Sequence, residues 1–170
     1  MNWRWRNPKQ LEATLQKLPR GVARAVHVAS EALDRAGVRH ALVGGIATAA
    51  HGYLRSTDDV DFLVGDEAFE SRGIIITFAP GVPILVGDVV IDYIPMESGE
   101  EFLESALDGV VVPVEALVYM KLKAGRRRDL DDVFQVLDAG ADEHTIRAYL
   151  ATHAPQHLPR FESLLEELTA

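Results

Sequence analysis

The sequence predicts an α+β fold: a small mixed β-sheet flanked by helices, with N-terminal helices and a helical C-terminal extension. Three observations carry this. Short apolar or alternating runs at 40–43, 59–64, 74–78, 83–86 and 89–94 read as strands. Apolar residues recur at helical spacing before and after those runs. Pro80-Gly81 and Gly87-Asp88 supply tight turns between the last three runs. The 170 residues, 48% of them hydrophobic, suffice for one globular unit. Residues 1–112 are expected to hold the sheet and N-terminal helices, and 113–170 a helical region packed on it.

In chain order, Asn7 is a predicted N-cap, with Pro8 at the first helical position. Leu11, Leu15 and Leu18 follow at helical spacing, and Pro19-Arg20-Gly21 interrupts. A second helix has Val22, Val26, Ala29 and Leu33 on one face and Gly37 as its stop. Strand 40–43 runs into Gly44-Gly45, a small-residue helical segment at 46–53 and a polar turn at 55–58. Strand 59–64 alternates, so Val60, Phe62 and Val64 enter a core while Asp59 and Asp61 stand together on the other face. Segment 65–73 is charged and too short for more than about two helical turns. Helix is expected at 100–107, a brief strand at 110–112, and a helix from Pro113 through Lys123. The next helix is read with Leu130, Val133, Phe134 and Leu137 on its apolar face, and segments 142–151 and 159–168 close the chain.

Composition excludes several functions. The formal charge of -9 argues against broad binding of duplex nucleic acid, although a local basic groove remains compatible. The chain has no cysteine, hence no disulfide or thiolate metal site. No apolar run reaches the roughly 20 residues of a membrane helix. The basic N-terminus lacks the apolar core of a secretory signal. A cytoplasmic location and no membrane partner are the expectation.

The chemistry lies in three pieces. Gly44-Gly45 sits between a strand and a helix, where glycine permits close backbone approach and unpaired amides favour phosphate. The plain alternative is an ordinary turn. Asp59 and Asp61 lie roughly 7 Å apart along one strand face, and a divalent cation would remove their repulsion. The plain alternative is a solvated edge. Asp92 interrupts an apolar strand, where burying an acid is costly unless it is paired or metal-bound. If its strand lies beside that of Asp61, three carboxylates converge into a ligand set for two Mg2+ ions, with Mn2+ as a substitute. His51 is read as a packed or capping histidine, Trp3 and Trp5 as covers of apolar surface. Arg126 to Arg128 is a solvated charge run or a polyanion contact.

Gly44-Gly45, thirteen intervening residues, Asp59-Val60-Asp61-Phe62 and a later Asp92 together resemble the nucleotidyltransferase superfamily built on the DNA polymerase beta-like palm. Arg55-Ser56-Thr57-Asp58 and the stretch from Met120 to Val133 look like its bacterial branch of abortive-infection and toxin–antitoxin nucleotidyltransferases. The resemblance covers roughly residues 40–137.

It implies transfer of a nucleoside monophosphate from a nucleoside triphosphate to an acceptor hydroxyl, with release of pyrophosphate. Asp59, Asp61 and Asp92 would be the catalytic and metal-holding residues, Asp92 also serving the acceptor. Gly44, Gly45, Arg55, Thr57 and Lys121 would form the nucleotide-binding set; Lys121 reads equally as a solvated or snorkelling lysine, and Arg55 and Thr57 as shaping their turn. Asp129 and Asp132 match family positions and can pair with the neighbouring arginines. The acceptor would be a tRNA end, a protein or a small molecule, and a cognate toxin or antitoxin a protein partner. Two departures stand out: Ile46 replaces the serine usual after the glycines, and 65–73 replaces a full helix. A non-catalytic nucleotide-binding or antitoxin module on the same fold is the alternative. A sugar transferase using Asp-x-Asp fits less well, given the upstream glycines and the small size.

Overall fold

A computed structural model describes residues 8–72 and 74–170. Asn7, Trp3 and Trp5, read above as a cap and as surface covers, lie outside the described residues. The fold is α+β, with a small mixed sheet flanked by helices.

Helix α1 (Pro8–Leu15) and the long α2 (Arg20–Arg35) precede the sheet. Helix α2 buries Val22, Ala25, Val26, Ala29, Ala32 and Leu33, the stripe expected from its sequence, and Gly37 follows it at φ +70°. Strand β1 (His40–Leu42) leads into α3 (Gly44–Ala50), and β2 (Val60–Val64) follows the polar turn. Strand β1 runs antiparallel to β2, with Leu42 opposite Phe62.

The short charged segment after β2, too short for a full helix, holds a strand. A 3-10 turn (Asp66–Ala68) opens strand β3 (Phe69–Arg72), which pairs antiparallel with β4 (Ile75–Phe78) as a separate hairpin. Its anchor is aromatic: Phe69 meets Phe78 edge-on at 5.4 Å between ring centres. Strand β5 (Leu85–Val86) then turns into β6 (Val89–Pro95). The order in the main sheet is β1-β2-β6-β5, with β2 and β6 parallel and β5 antiparallel to β6.

The expected helix near residue 100 is a 3-10 helix (Glu101–Asp108). The expected strand at 110–112 shrinks to one bridge between Val111 and Leu42. Helices α4 (Val114–Ala124), α5 (Arg127–Asp138), α6 (Glu143–His153) and α7 (Leu158–Thr169) complete the chain. Asp142 caps α6 by accepting from the amides of His144 and Thr145. The buried face of α5 is Asp129, Asp132, Val133, Val136 and Leu137, rotated from the Leu130/Phe134 face read in the sequence. The rotation buries two aspartates, and their cationic partners make it affordable.

Val60, Phe62 and Val64 are buried on one face of β2 as expected, with Leu63 buried on the other. Phe62 stacks on Tyr93 and meets His40 edge-on. Side chains from β1, β2, β6 and the flanking helices join in one core. Among the described residues no helix is long and apolar enough to cross a membrane.

Candidate functional site

Strand geometry assembles the acids. Asp61 lies within β2 and Asp59 just before it, two residues away and so on the same face. The parallel register sets Asp92 of β6 directly opposite Asp61. One oxygen from each of Asp59, Asp61 and Asp92 lies within 4.8 Å of the others. Asp92 is not buried, which corrects the sequence argument from the cost of burial. Strand β6 alternates, with Val89 and Ile91 inside and Val90 and Asp92 exposed.

Like charges across neighbouring strands repel. Burial pushes the Asp61 carboxyl up, Asp59 and Asp92 push it further, Lys121 and Arg126 oppose them, and its pKa reaches about 6. Among the described residues none of the three acids forms an ion pair. Three clustered oxygen ligands with no ion-pair partner of their own among the described residues fit a hard divalent cation.

Gly44, Gly45, Arg55, Asp59, Asp61, Asp92 and Lys121 all line one cleft of about 320 Å³. Thr57 stands behind it, buried, and its hydroxyl donates to Asp59 Oδ1 at 3.1 Å. The cleft wall draws on both sides of the boundary expected at residue 112, because α4 contributes Lys121, α5 contributes Arg128 and Asp129, and the turn between them Arg126.

The glycines have a reason inside the protein. Gly44 has φ +63°, and a Cβ there would fall 1.9 Å from Asp61 Oδ2. A Cβ on Gly45 would fall 2.6 Å from Thr57 Oγ1. The close approach that glycine permits is thus first of all to the site's own side chains.

Three of the cations on the wall are held by two aspartates. Arg55 donates from Nε and Nη2 to Asp132 at 2.7 and 3.0 Å. Lys121 Nζ donates to Asp132 at 2.6 Å and to Asp129 at 3.2 Å. Arg126 Nε donates to Asp129 at 2.6 Å, and Arg128 Nη2 donates to the Ser56 carbonyl at 3.1 Å. Asp132 therefore pairs with Arg55 and Lys121 rather than with the 126–128 run. Lys121 is buried, not a solvated lysine. Burial pushes the Asp129 carboxyl up, but Arg126 and Lys121 outweigh it and hold its pKa below the ordinary value.

Sequence reasoning undervalued Asp129 and Asp132. Their signal was present: positions 129, 132, 133, 136 and 137 form one helical stripe, and acids on a buried stripe need partners. His51 is packed as expected, with Nε2 2.8 Å from the Val112 carbonyl. Burial pulls its pKa down to about 4.

No protein-family model matches the chain, and no curated protein matches it. Among solved structures, the chain is similar to an antigenic nucleotidyltransferase-like protein from Paracoccidioides brasiliensis. The identity is 17% over 94% of this chain and 93% of that one, with a TM-score of 0.43.

Proposed function

We propose that the chain is a metal-dependent nucleotidyltransferase that moves a nucleoside monophosphate from a nucleoside triphosphate to an acceptor hydroxyl. The observation that carries this reading is the meeting of Asp59, Asp61 and Asp92 within 4.8 Å, beside a cleft whose wall also holds Arg55, Lys121, Arg126 and Arg128. That pairing of acids and bases suits a ligand that is itself a metal–phosphate complex.

Asp59, Asp61 and Asp92 would hold Mg2+, two ions in all, with Mn2+ as a substitute. Bound there, the metal supplies Lewis-acid neutralisation of the phosphates. The chain's own groups do the rest. The amides around Gly44 and Gly45 and the exposed Arg126 and Arg128 meet the phosphates. Lys121 and Arg55 shape that wall through Asp132, and Thr57 acts through its bond to Asp59. The acceptor oxygen attacks the α-phosphorus, its proton passes to Asp92 and on to solvent, and pyrophosphate leaves. A setting in a toxin–antitoxin or abortive-infection system, with a cognate protein partner, belongs to the same proposal and is motivated by 55–58 and 120–133 in the sequence.

The test is incubation with each nucleoside triphosphate labelled at the α-phosphate, Mg2+ and a cell extract. Transfer of label should vanish with chelator and in Asp61→Asn. Metal-dependent binding without transfer would leave the non-catalytic module; neither binding nor transfer by folded protein would leave only the fold.

A further inference from the structure

Asp92 borders two cavities of opposite character. On one side is the cleft with the other acids and the wall cations. On the other is an open groove of about 560 Å³, lined by Phe78, Ile84, Leu85, Val90 and Tyr93 and reaching Asp92. Among the described residues no lysine or arginine lines this groove. Ile84, Leu85 and Val90 are 72, 56 and 48% exposed, although side chains of this size are ordinarily covered. Val90 is two residues from Asp92 on the same face of β6, and Leu85 is its partner across the β5–β6 pair. The apolar strip thus leads directly to the carboxylate. The groove is also braced: Tyr93 stacks on Phe78 at 4.7 Å and donates its hydroxyl to the Pro83 carbonyl at 2.5 Å.

We infer that this groove is the acceptor site, and that the acceptor is a small uncharged hydroxyl compound with an apolar body. The inference rests on the transferase reading above. Its volume lies in the range of small-molecule sites, which are mostly apolar with a few polar groups that fix orientation. Here the polar group is Asp92. A nucleic-acid end fits poorly, because its phosphates need cations, and the wall cations line the cleft rather than this groove. In the step so assigned, the acceptor O–H bond breaks and its proton goes to Asp92, then to solvent. The freed oxygen bonds the α-phosphorus, the bond from that phosphorus to the bridging oxygen breaks, and pyrophosphate departs with the electron pair.

The experiment uses a series of 4-alkylphenols of increasing chain length with ATP and Mg2+, against an RNA oligonucleotide with a free 3′ end. Mass spectrometry reads the nucleotidyl ester. The expected result is that kcat/KM rises about twofold to fourfold per methylene, and that the phenols outperform the RNA. Val90→Asp should flatten the series by raising KM for the long chains. Independently of turnover, saturation-transfer NMR should detect 4-butylphenol on the metal-free protein and lose it in Val90→Asp. The nucleotide Kd on the same samples reports whether the acidic cleft is intact. Transfer that favours RNA, or a flat chain-length series, overturns the inference and leaves the transferase reading standing. Nucleotide binding without transfer to any probe overturns the inference and reduces that reading to a binding module. Absence of metal-dependent nucleotide binding overturns both.

Discussion

Asp61 and Asp92 face each other across the parallel β2–β6 pair, with no charged side chain paired to either among the described residues. Two acids in register on one face oppose folding unless one stays protonated or a cation joins them. The consequences are measurable.

The pH dependence of stability should be the sum of two opposed slopes. Asp61 has its folded pKa raised to about 6, so its contribution is full below the ordinary carboxylate pKa near 3.8 and is lost as pH rises to about 6. His51 has its folded pKa lowered to about 4, so its contribution is full above 6.5 and is lost as pH falls towards 4. Each slope is worth at most about 3 kcal/mol. Urea denaturation with chelator should therefore give a nearly flat wild-type profile between pH 4 and 6.5. Asp61→Asn should lose stability on acidification, and His51→Gln should lose it on alkalinisation. Parallel profiles for all three proteins would show that neither group titrates as described.

Divalent metal should stabilise the fold by mass action. Raising Mg2+ or Mn2+ from zero to 100 times its Kd adds about 2.7 kcal/mol. Calorimetry should show Tm rising with metal concentration at pH 7, and the rise should largely disappear in Asp61→Asn. An unchanged wild-type Tm at millimolar metal would remove the basis for a metal site.

Asp132 should matter more to the fold than its distance from the acids suggests. Asp132→Ala leaves Arg55 and Lys121 without their shared partner at a buried position, a change that typically costs about 3–5 kcal/mol. Thr57→Ala should behave differently, with little loss of stability but metal affinity weaker by roughly tenfold to a hundredfold, because it frees the Asp59 carboxylate. Denaturation and metal titration on both variants separate the two effects; equal behaviour in both assays would refute the division.

The glycine pair should resist substitution even without nucleotide. Gly44→Ala drives a Cβ to within 1.9 Å of Asp61 Oδ2 at a positive φ, so it should destabilise by about 1–3 kcal/mol and abolish the metal response. Gly45→Ala meets Thr57 Oγ1 at 2.6 Å, and adding Thr57→Ala should recover part of the lost stability. If Gly45→Ala is neutral without ligand but blocks nucleotide binding, the glycine serves the ligand rather than Thr57.

Local pattern determined much of this protein. Alternation in β2 dictates that Asp59 and Asp61 share a face while Val60, Phe62 and Val64 are buried, and the 3.6-residue period dictates the buried stripe of α2. These follow from backbone geometry, which acts within a few residues and is written in spacing. The remainder depended on what meets what. Only the β2–β6 register puts Asp92 opposite Asp61, since one residue of slip would turn it to the other face. Only the tertiary contact of the 55–58 turn with α5 tells that Asp132 belongs to Arg55, 77 positions away, rather than to the adjacent arginines. The β3–β4 hairpin was hidden for the same reason: Phe69–Arg72 has too little apolar character to declare a strand, and it becomes one through pairing with β4 and the contact of Phe69 with Phe78. Spacing governs which side chains share a surface, whereas charge pairing and strand register are settled by contacts between distant segments, whose energies no short window of sequence contains.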